Sequence, residues 1–339
     1  MLTTWIIAEK PSLNKLLPLK YPLILFYLAL VISFVFSQNK MNSAAEVYKY
    51  LIPLLMLWAM ANLNQNKKQM VIECLVWTGF VVSLIALRQY FFGFDDTLKY
   101  MAEEKINDPY AMLILQRKRV FAPFVTPDVL AGYLIMILPL VFLLRKRLFV
   151  AIPIFLALLL TGSLGALLSI LLAAWIYFHV NGKFSGKVIF GLAGALLIVS
   201  AVLIIRNFDP DRLVHPWSSL VMRLHYWRDT LVIIKAHPLT GVGLGNFNLS
   251  NSRYAHNACL QMWAETGILG VVSFLWLIVR ILGNNKRVSI LSIAAMVFLI
   301  HNFIDFTFYL PETVFIWWAI AGLILYENVE STTSRLSRS

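Results

Sequence analysis

Residues suited to chemistry are concentrated in one polar stretch, which runs from Arg206 to Leu260. It contains four of the six histidines, five arginines and a glycine-rich turn. Arginine holds phosphate oxygens through two parallel N–H groups, and histidine is the side chain that most often moves protons in enzymes. If the chain catalyses a reaction, this stretch is the best place for it, and an anionic substrate is one explanation for its arginines.

The first half of the stretch predicts a helix over 216–235, because apolar residues recur there at spacings of three and four. Arg223, Trp227 and Thr230 fall on one face of this helix. Polar residues interrupt it too often for a span, so we expect it to lie at the membrane interface. Arg228 falls within the apolar stripe, where it either meets an anion or extends to the interface.

The second half combines a glycine turn with polar residues at the start of a long apolar run. Gly241 and Gly243 either allow backbone N–H groups to approach an anion or form a tight turn. His256 and Asn257 immediately precede the apolar run, and Glu265 follows about two turns later, at its outer lip. His256 is a candidate for catalysis, with capping or packing as the alternative. A carboxylate such as Glu265 is favourable near a helix N-terminus in any case.

A second pair of ionisable residues lies near the outer end of a later apolar run. His301 and Asp305 are four residues apart, one helical turn. Ionisable groups inside a membrane are costly and often functional, although the two side chains could simply hydrogen-bond each other. The sequence contains no metal-binding spacing, no P-loop and no dinucleotide fingerprint. We therefore predict no metal and no cofactor.

The composition is that of an integral membrane protein. Of 339 residues, 60% are hydrophobic and 14% charged, and the mean hydropathy is +0.75, whereas soluble domains contain about 25% charged residues. Because a backbone in lipid must satisfy its own hydrogen bonds, we predict an all-α transmembrane helix bundle with a long, partly helical extracytoplasmic loop. A span needs roughly 20 apolar residues. About ten runs qualify: 21–38, 46–63, 70–92, 128–144, 147–161, 164–180, 187–206, 261–282, 287–305 and 311–327. The fifth and sixth runs are short and form either two spans or one re-entrant pair.

Lysine and arginine are concentrated in alternate connections, and this bias sets the orientation of the spans. The short basic connections contain Lys10, Lys15, Lys20, Lys67, Lys68, Arg145, Lys146, Arg147, Lys183, Lys187, Arg280, Lys286, Arg287, Arg335 and Arg338. We therefore place both termini in the cytoplasm and the two long loops, 93–127 and 207–260, outside. The net charge of +12 does not require a nucleic acid, and we predict none as a partner. Outer arginines such as Arg119 contact either lipid phosphates or an anionic substrate.

These assignments divide the chain into four parts. Residues 1–206 form the N-terminal spans with the outer loop 93–127, and 207–260 form the candidate catalytic loop. Residues 261–327 form the C-terminal spans, and 328–339 a cytoplasmic tail. The first apolar run is long for a signal peptide and has no convincing small-residue cleavage site, so we interpret it as a retained span.

Several positions fit one known pattern: an arginine shortly before a tryptophan, a proline, a Gly-x-Gly turn, a His-Asn pair, and a glutamate followed by spaced glycines. In this sequence the positions are Arg223, Trp227, Pro238, Gly241, Gly243, His256, Asn257, Glu265, Gly267 and Gly270. The pattern resembles the core signature of the O-antigen ligase and polymerase family. Upstream, RVFAPFVTPD is similar to a family segment entering a span, with Arg119 as its arginine and Asp128 where asparagine is usual. The resemblance covers about 117–325 and is strongest over 222–270.

The resemblance implies a multi-pass glycosyltransferase of the bacterial cytoplasmic membrane, with inverting, metal-independent transfer on the extracytoplasmic side. The donor would be a glycan on a polyprenyl diphosphate, among membrane lipids. The acceptor would be lipid A-core for a ligase, or another lipid-linked glycan for a polymerase. Arg223, Arg119 and Arg228 would bind the diphosphate. His256 would be the general base, with Glu265 or Asn257 orienting it. Supporting roles are expected for Asn257, Trp227, Gly241, Gly243, His301 and Asp305.

Two interpretations from other classes remain open. One is a transporter or flippase for lipid-linked sugars, and the other is a scaffold without activity of its own. Transporters tend to carry polar groups near the bilayer midplane, in repeated halves. Here the polar residues lie mainly on one side and no repeat is visible, which favours glycan transfer. The sequence leaves ligase and polymerase as alternatives.

Overall fold

The computed structural model describes residues 11–106, 109–144, 147–207, 218–250, 252–283 and 287–336, and these ranges are mostly helical. In chain order the α-helices are α1 (Lys20–Val35), α2 (Lys40–Glu46), α3 (Tyr48–Ala61), α4 (Gln65–Arg88), α5 (Phe94–Glu103), α6 (Pro109–Gln116), α7 (Pro127–Leu140), α8 (Arg147–Thr161), α9 (Leu164–Val180), α10 (Gly186–Asn207), α11 (Ser218–Ala236), α12 (Ala258–Leu282), α13 (Ile290–His301) and α14 (Pro311–Leu336). Within the described ranges the β-structure amounts to an isolated bridge between Leu249 and Ser252. The all-α prediction is confirmed for these residues.

Helices occupy the positions of the predicted spans. Among the described residues, four helical segments are long and apolar enough to cross a membrane, judged by length and composition: Leu13–Val35, Lys40–Ala61, Gln65–Glu103 and Ala258–Leu282. Shorter apolar helices cover Pro127–Leu143, Leu148–Thr161, Leu164–Val180, Gly186–Leu197 and Ile290–His301. The described part of the chain is therefore helical and apolar enough for a membrane protein, and the number of its crossings stays a prediction.

Two regions are more helical than the sequence predicted. The loop expected at 93–127 contains α5 and α6, and a π-helical turn, Gln89–Gly93, joins α4 to α5. Asp95 and Asp96 lie in the first turn of α5, where carboxylates interact favourably with the helix dipole. At the other end of the chain, α14 continues to Leu336, past the predicted end of the last span.

The first of two compact units contains the residues up to Lys68, Ser219–Ser292 and those from Asn302 onward. In it α1 packs against α12, and α3 against α14. Gly322 allows the second pair to approach closely, because a Cβ there would lie 2.7 Å from the Leu57 carbonyl oxygen. An aromatic cluster fills the interior, with Phe274 and Trp317 both in ring contact with Phe308.

The second unit contains Gln69–Ser218 and Ile293–His301. Its centre is α7, which packs against α8 and is buried over nearly its whole length from Pro127 to Ile137. A helix that is apolar all round suits such a position. The Thr126 hydroxyl caps α7 by accepting the N–H of Val129 at 3.3 Å.

Candidate functional site

Helix α11 places Arg223 on its packed face. Thr230 and Ile234 on this face are buried, while Arg223 and Trp227 are half-buried, so the predicted face of Arg223, Trp227 and Thr230 is found. The helix packs against a small core of Phe247, Leu249, Ala255 and Ala264. Arg228 is exposed and lies away from this face.

Asp305 supplies the carboxylate that faces Arg223. The Arg223 Nη2 atom lies 4.0 Å from Asp305 Oδ2, and the two side chains are 21% and 1% exposed. This distance is that of a charge pair and exceeds a hydrogen bond. Asp305 Oδ1 accepts the backbone N–H groups of Phe306 and Thr307 at 2.8 and 3.2 Å. Those bonds fix the carboxylate, so its second oxygen remains directed towards the guanidinium.

His256 lies beside the same two segments. Its ring stacks on Tyr226 at 5.4 Å between centroids, and it meets Phe306 edge-on at 4.8 Å. Tyr226 is one helical turn from Arg223, and Phe306 follows Asp305. The His256 carbonyl accepts the Trp227 indole N–H at 3.4 Å. Arg223, Asp305 and His256 are therefore brought together by shared neighbours.

The rings of Tyr226, His256 and Phe306 form a second aromatic cluster, which continues to Tyr254, whose ring stacks on Phe306 at 4.5 Å. Burial raises the pKa of the Tyr254 hydroxyl, while the nearby Arg253 lowers it by less. The phenol therefore stays neutral at physiological pH. The cluster gives the cation, carboxylate and imidazole a common apolar wall.

Asn257 serves the fold next to His256. Its side chain accepts the N–H of Leu260 at 3.0 Å and so caps α12. The same side chain donates to the Phe303 carbonyl at 3.0 Å, and the Ala258 N–H donates to the Asn302 carbonyl at 2.8 Å. These bonds attach the start of α12 to the segment that carries Asp305.

Glu265 is buried inside α12, whereas the sequence predicted it at the outer lip. It is 4% exposed, and its Oε1 accepts the Gln261 amide N–H at 3.1 Å. The Gly245 backbone also hydrogen-bonds its carboxylate. Gln261 links Glu265 to the segment that contains His256, because the Oε1 atom of Gln261 accepts the Ala255 N–H.

The glycine turn packs into a break in α12. Gly267 has φ of 71° and ψ of −178°, so the helix is interrupted. The freed carbonyls of Ala264 and Glu265 accept the N–H groups of Val242 and Gly243 at 2.9 and 3.1 Å. The Gly241 N–H donates to the His237 carbonyl. The turn thus follows the second of its two predicted roles, since these N–H groups donate to protein carbonyls.

Arg119 and His301 belong to the second unit. Arg119 Nε donates to the Thr161 carbonyl at 2.7 Å, and its Nη2 pairs with Asp128 Oδ1 at 3.2 Å. His301 is buried at the end of α13. Asp305 lies in the loop after that end, so the predicted one-turn pair on a continuous helix is wrong. An aspartate side chain that accepts hydrogen bonds from nearby backbone N–H groups, as Asp305 does, replaces the helical hydrogen bonds of those groups and so favours the end of the helix.

Sequence reasoning missed three residues of this arrangement. Tyr226, Phe306 and Gln261 contact His256 or the backbone before it. Their positions in the sequence could have indicated them, because each lies within four residues of a predicted site residue on the same element or segment. A helical wheel around Arg223 points to Tyr226, and one around Glu265 points to Gln261.

Residues 148–275 match the family model described as O-antigen ligase. Over this stretch the chain is similar to the O-antigen ligase family. The match contains Arg223, His256 and Glu265 and ends before Asp305, and it confirms the resemblance read from the motifs. It implies a glycosyltransferase-like enzyme in a bacterial membrane. No curated protein sequence matches the chain.

Proposed function

We propose that this protein transfers a glycan from a polyprenyl-diphosphate carrier to an acceptor hydroxyl at the outer face of the bacterial cytoplasmic membrane. The observation that carries the proposal is the grouping of Arg223, Asp305 and His256. Two of these residues lie in the stretch that matches the O-antigen ligase family. A guanidinium and an imidazole are the groups that such a transfer needs for its anionic donor and its hydroxyl acceptor.

We further propose ten membrane spans with both termini in the cytoplasm. The support is the concentration of lysine and arginine in alternate short connections, which stay inside. This topology puts Arg223 and His256 outside, where a donor carried by a membrane lipid can reach them.

Arg223 is proposed to bind the diphosphate. Its guanidinium can hold two phosphate oxygens at once, and the buried Asp305 carboxylate lies 4.0 Å from its Nη2 atom. As the bond to the sugar breaks, negative charge grows on the leaving diphosphate, and a fixed cation stabilises it. Arg119 and Arg228 are proposed as further phosphate ligands from the sequence pattern, and Arg228, being exposed, contributes less.

His256 is proposed to accept the proton of the acceptor hydroxyl. The hydroxyl oxygen forms a bond to the anomeric carbon while the bond from that carbon to the phosphate oxygen breaks. The proton moves to the imidazole, and the electron pair leaves with the polyprenyl diphosphate. One displacement inverts the anomeric centre, and the guanidinium groups supply the positive charge that this leaving group needs.

The matched family is described as O-antigen ligase, and we therefore propose that the protein is a ligase with lipid A-core as its acceptor. The test is to reconstitute the full chain in liposomes with a lipid-linked glycan donor, with and without lipid A-core. We expect a lipid A-core product that carries the glycan. Longer lipid-linked chains would instead indicate a polymerase. Failure to transfer to either acceptor overturns the proposal, and movement of the donor across the bilayer without transfer would favour a flippase.

A further inference from the structure

We infer that Gln261 is a positioning residue for His256, and that it connects the His256 segment to the buried Glu265 carboxylate. The inference rests on the proposed function, because it takes His256 as the proton acceptor. It assigns Glu265 an indirect role, in which the carboxylate acts on the imidazole through Gln261 and the backbone.

The Gln261 side chain accepts one hydrogen bond and donates another. Its Oε1 accepts the Ala255 N–H at 3.1 Å, and its Nε2 donates to Glu265 Oε1 at 3.1 Å. A backbone N–H can only donate and a carboxylate can only accept, so the amide has one orientation. Gln261 and Glu265 are one turn apart on α12 and are 3% and 4% exposed. Water therefore competes little for either bond.

The backbone of His256 needs such support. Its φ is 51°, a left-handed conformation that residues other than glycine seldom adopt and that persists only where the surroundings impose it. On one side Gln261 holds the Ala255 N–H, and on the other Asn257 is bonded to Leu260 and Phe303. A shift of Gln261 would turn the Tyr254–Ala255 peptide, which directly precedes the peptide that joins Ala255 to His256.

Glu265 in turn holds Gln261. Its carboxylate is fixed by the Gly245 backbone, and its own carbonyl accepts the Ser33 hydroxyl at 2.7 Å and the Gly243 N–H at 3.1 Å. The packed glycine turn is thereby linked to the imidazole through Glu265, Gln261 and Ala255. Through this connection, a buried carboxylate two turns from His256 would affect transfer without touching the substrate.

The test uses the polarity of the two bonds. Gln261→Leu removes both, and we expect kcat to fall by roughly 10- to 100-fold with little change in the donor KM. Gln261→Glu keeps an acceptor for the Ala255 N–H but replaces the donor to Glu265 with a second carboxylate. Because the two carboxylates repel each other, this variant should also lower kcat. Adding Glu265→Gln restores a donor opposite the new carboxylate, and the double variant should recover most of the lost kcat.

The control is Ser273→Ala, which removes a buried hydroxyl that donates to the Leu269 carbonyl at 2.6 Å in the same helix. It should leave kcat unchanged. Wild-type kcat in Gln261→Leu overturns the inference while leaving transfer intact. If Gln261→Leu does not fold, a double variant no more active than Gln261→Glu overturns it. Absence of transfer by the unchanged protein contradicts the proposed function instead.

Discussion

Replacing Gly241 by alanine should separate the packed turn from the break in α12. Gly241 has φ of 68°, and a Cβ there would overlap the Glu265 carbonyl group. Backbone atoms cannot rotate away as a flexible side chain can, so the turn itself has to move. Movement would lengthen the bonds from Val242 and Gly243 to the carbonyls of Ala264 and Glu265.

The size of the effect follows from two contributions. A left-handed conformation costs a residue with a Cβ roughly 1–2 kcal/mol. Each of the two hydrogen bonds contributes about 0.5–1.5 kcal/mol, and more where a buried group is left unpaired. We therefore expect Gly241→Ala to lower the free energy of unfolding by about 2–5 kcal/mol. Gly182 is the matched control, because its φ is 63° and a Cβ there would meet nothing within 4 Å.

The assay follows the thiol of Cys259, near the start of α12, in a Cys74→Ser background. Detergent-solubilised protein is heated with a thiol-reactive fluorophore, and the midpoint of Cys259 labelling reports local unfolding. Gly241→Ala should lower this midpoint clearly more than Gly182→Ala, which has only the conformational cost. Equal shifts would refute the packing of the turn against the helix break.

Two further predictions concern buried acceptors. Asp305→Asn keeps an oxygen for the two backbone N–H groups and loses the charge facing Arg223. It should therefore fold with a midpoint near that of the unchanged protein while transfer slows. Asp305→Ala should lower the free energy of unfolding by about 1–3 kcal/mol and therefore unfold at a lower temperature. A midpoint equal to that of Asp305→Asn would contradict this. Gln89→Leu removes the oxygen that accepts the N–H groups of Phe121 and Ala122, so it should destabilise by a similar amount. Gln89→Glu, which retains an acceptor, is the control in the same thermal assay.

The helices were predictable because each apolar run is long and its ends are marked by polar or glycine residues. The run at 164–180 is helix α9 to the residue, and Gly162 and Ser163 separate it from α8. The face of α11 was predictable for the same reason, since helical spacing alone puts Arg223 next to Trp227 and Thr230.

The contacts between distant segments were not predictable from spacing. Glu265 was expected at the outer lip of a span, two turns after His256, and this position did not reveal that the glycine turn packs into the break at Gly267 beside it. Asp305 was expected on a continuous helix with His301, but its own hydrogen bonds help to form the loop that follows α13. A periodic pattern specifies which face of a helix is packed and leaves open which segment packs there.

The most direct test of the account compares transfer rates of reconstituted variants at saturating donor and acceptor. His256→Ala should lose about 10²- to 10⁴-fold and Arg223→Ala about 10²- to 10³-fold. Arg253→Ala, which removes an exposed arginine from the same loop, should transfer at the rate of the unchanged protein. Near-normal rates for both Arg223→Ala and His256→Ala would contradict the assignment of the site.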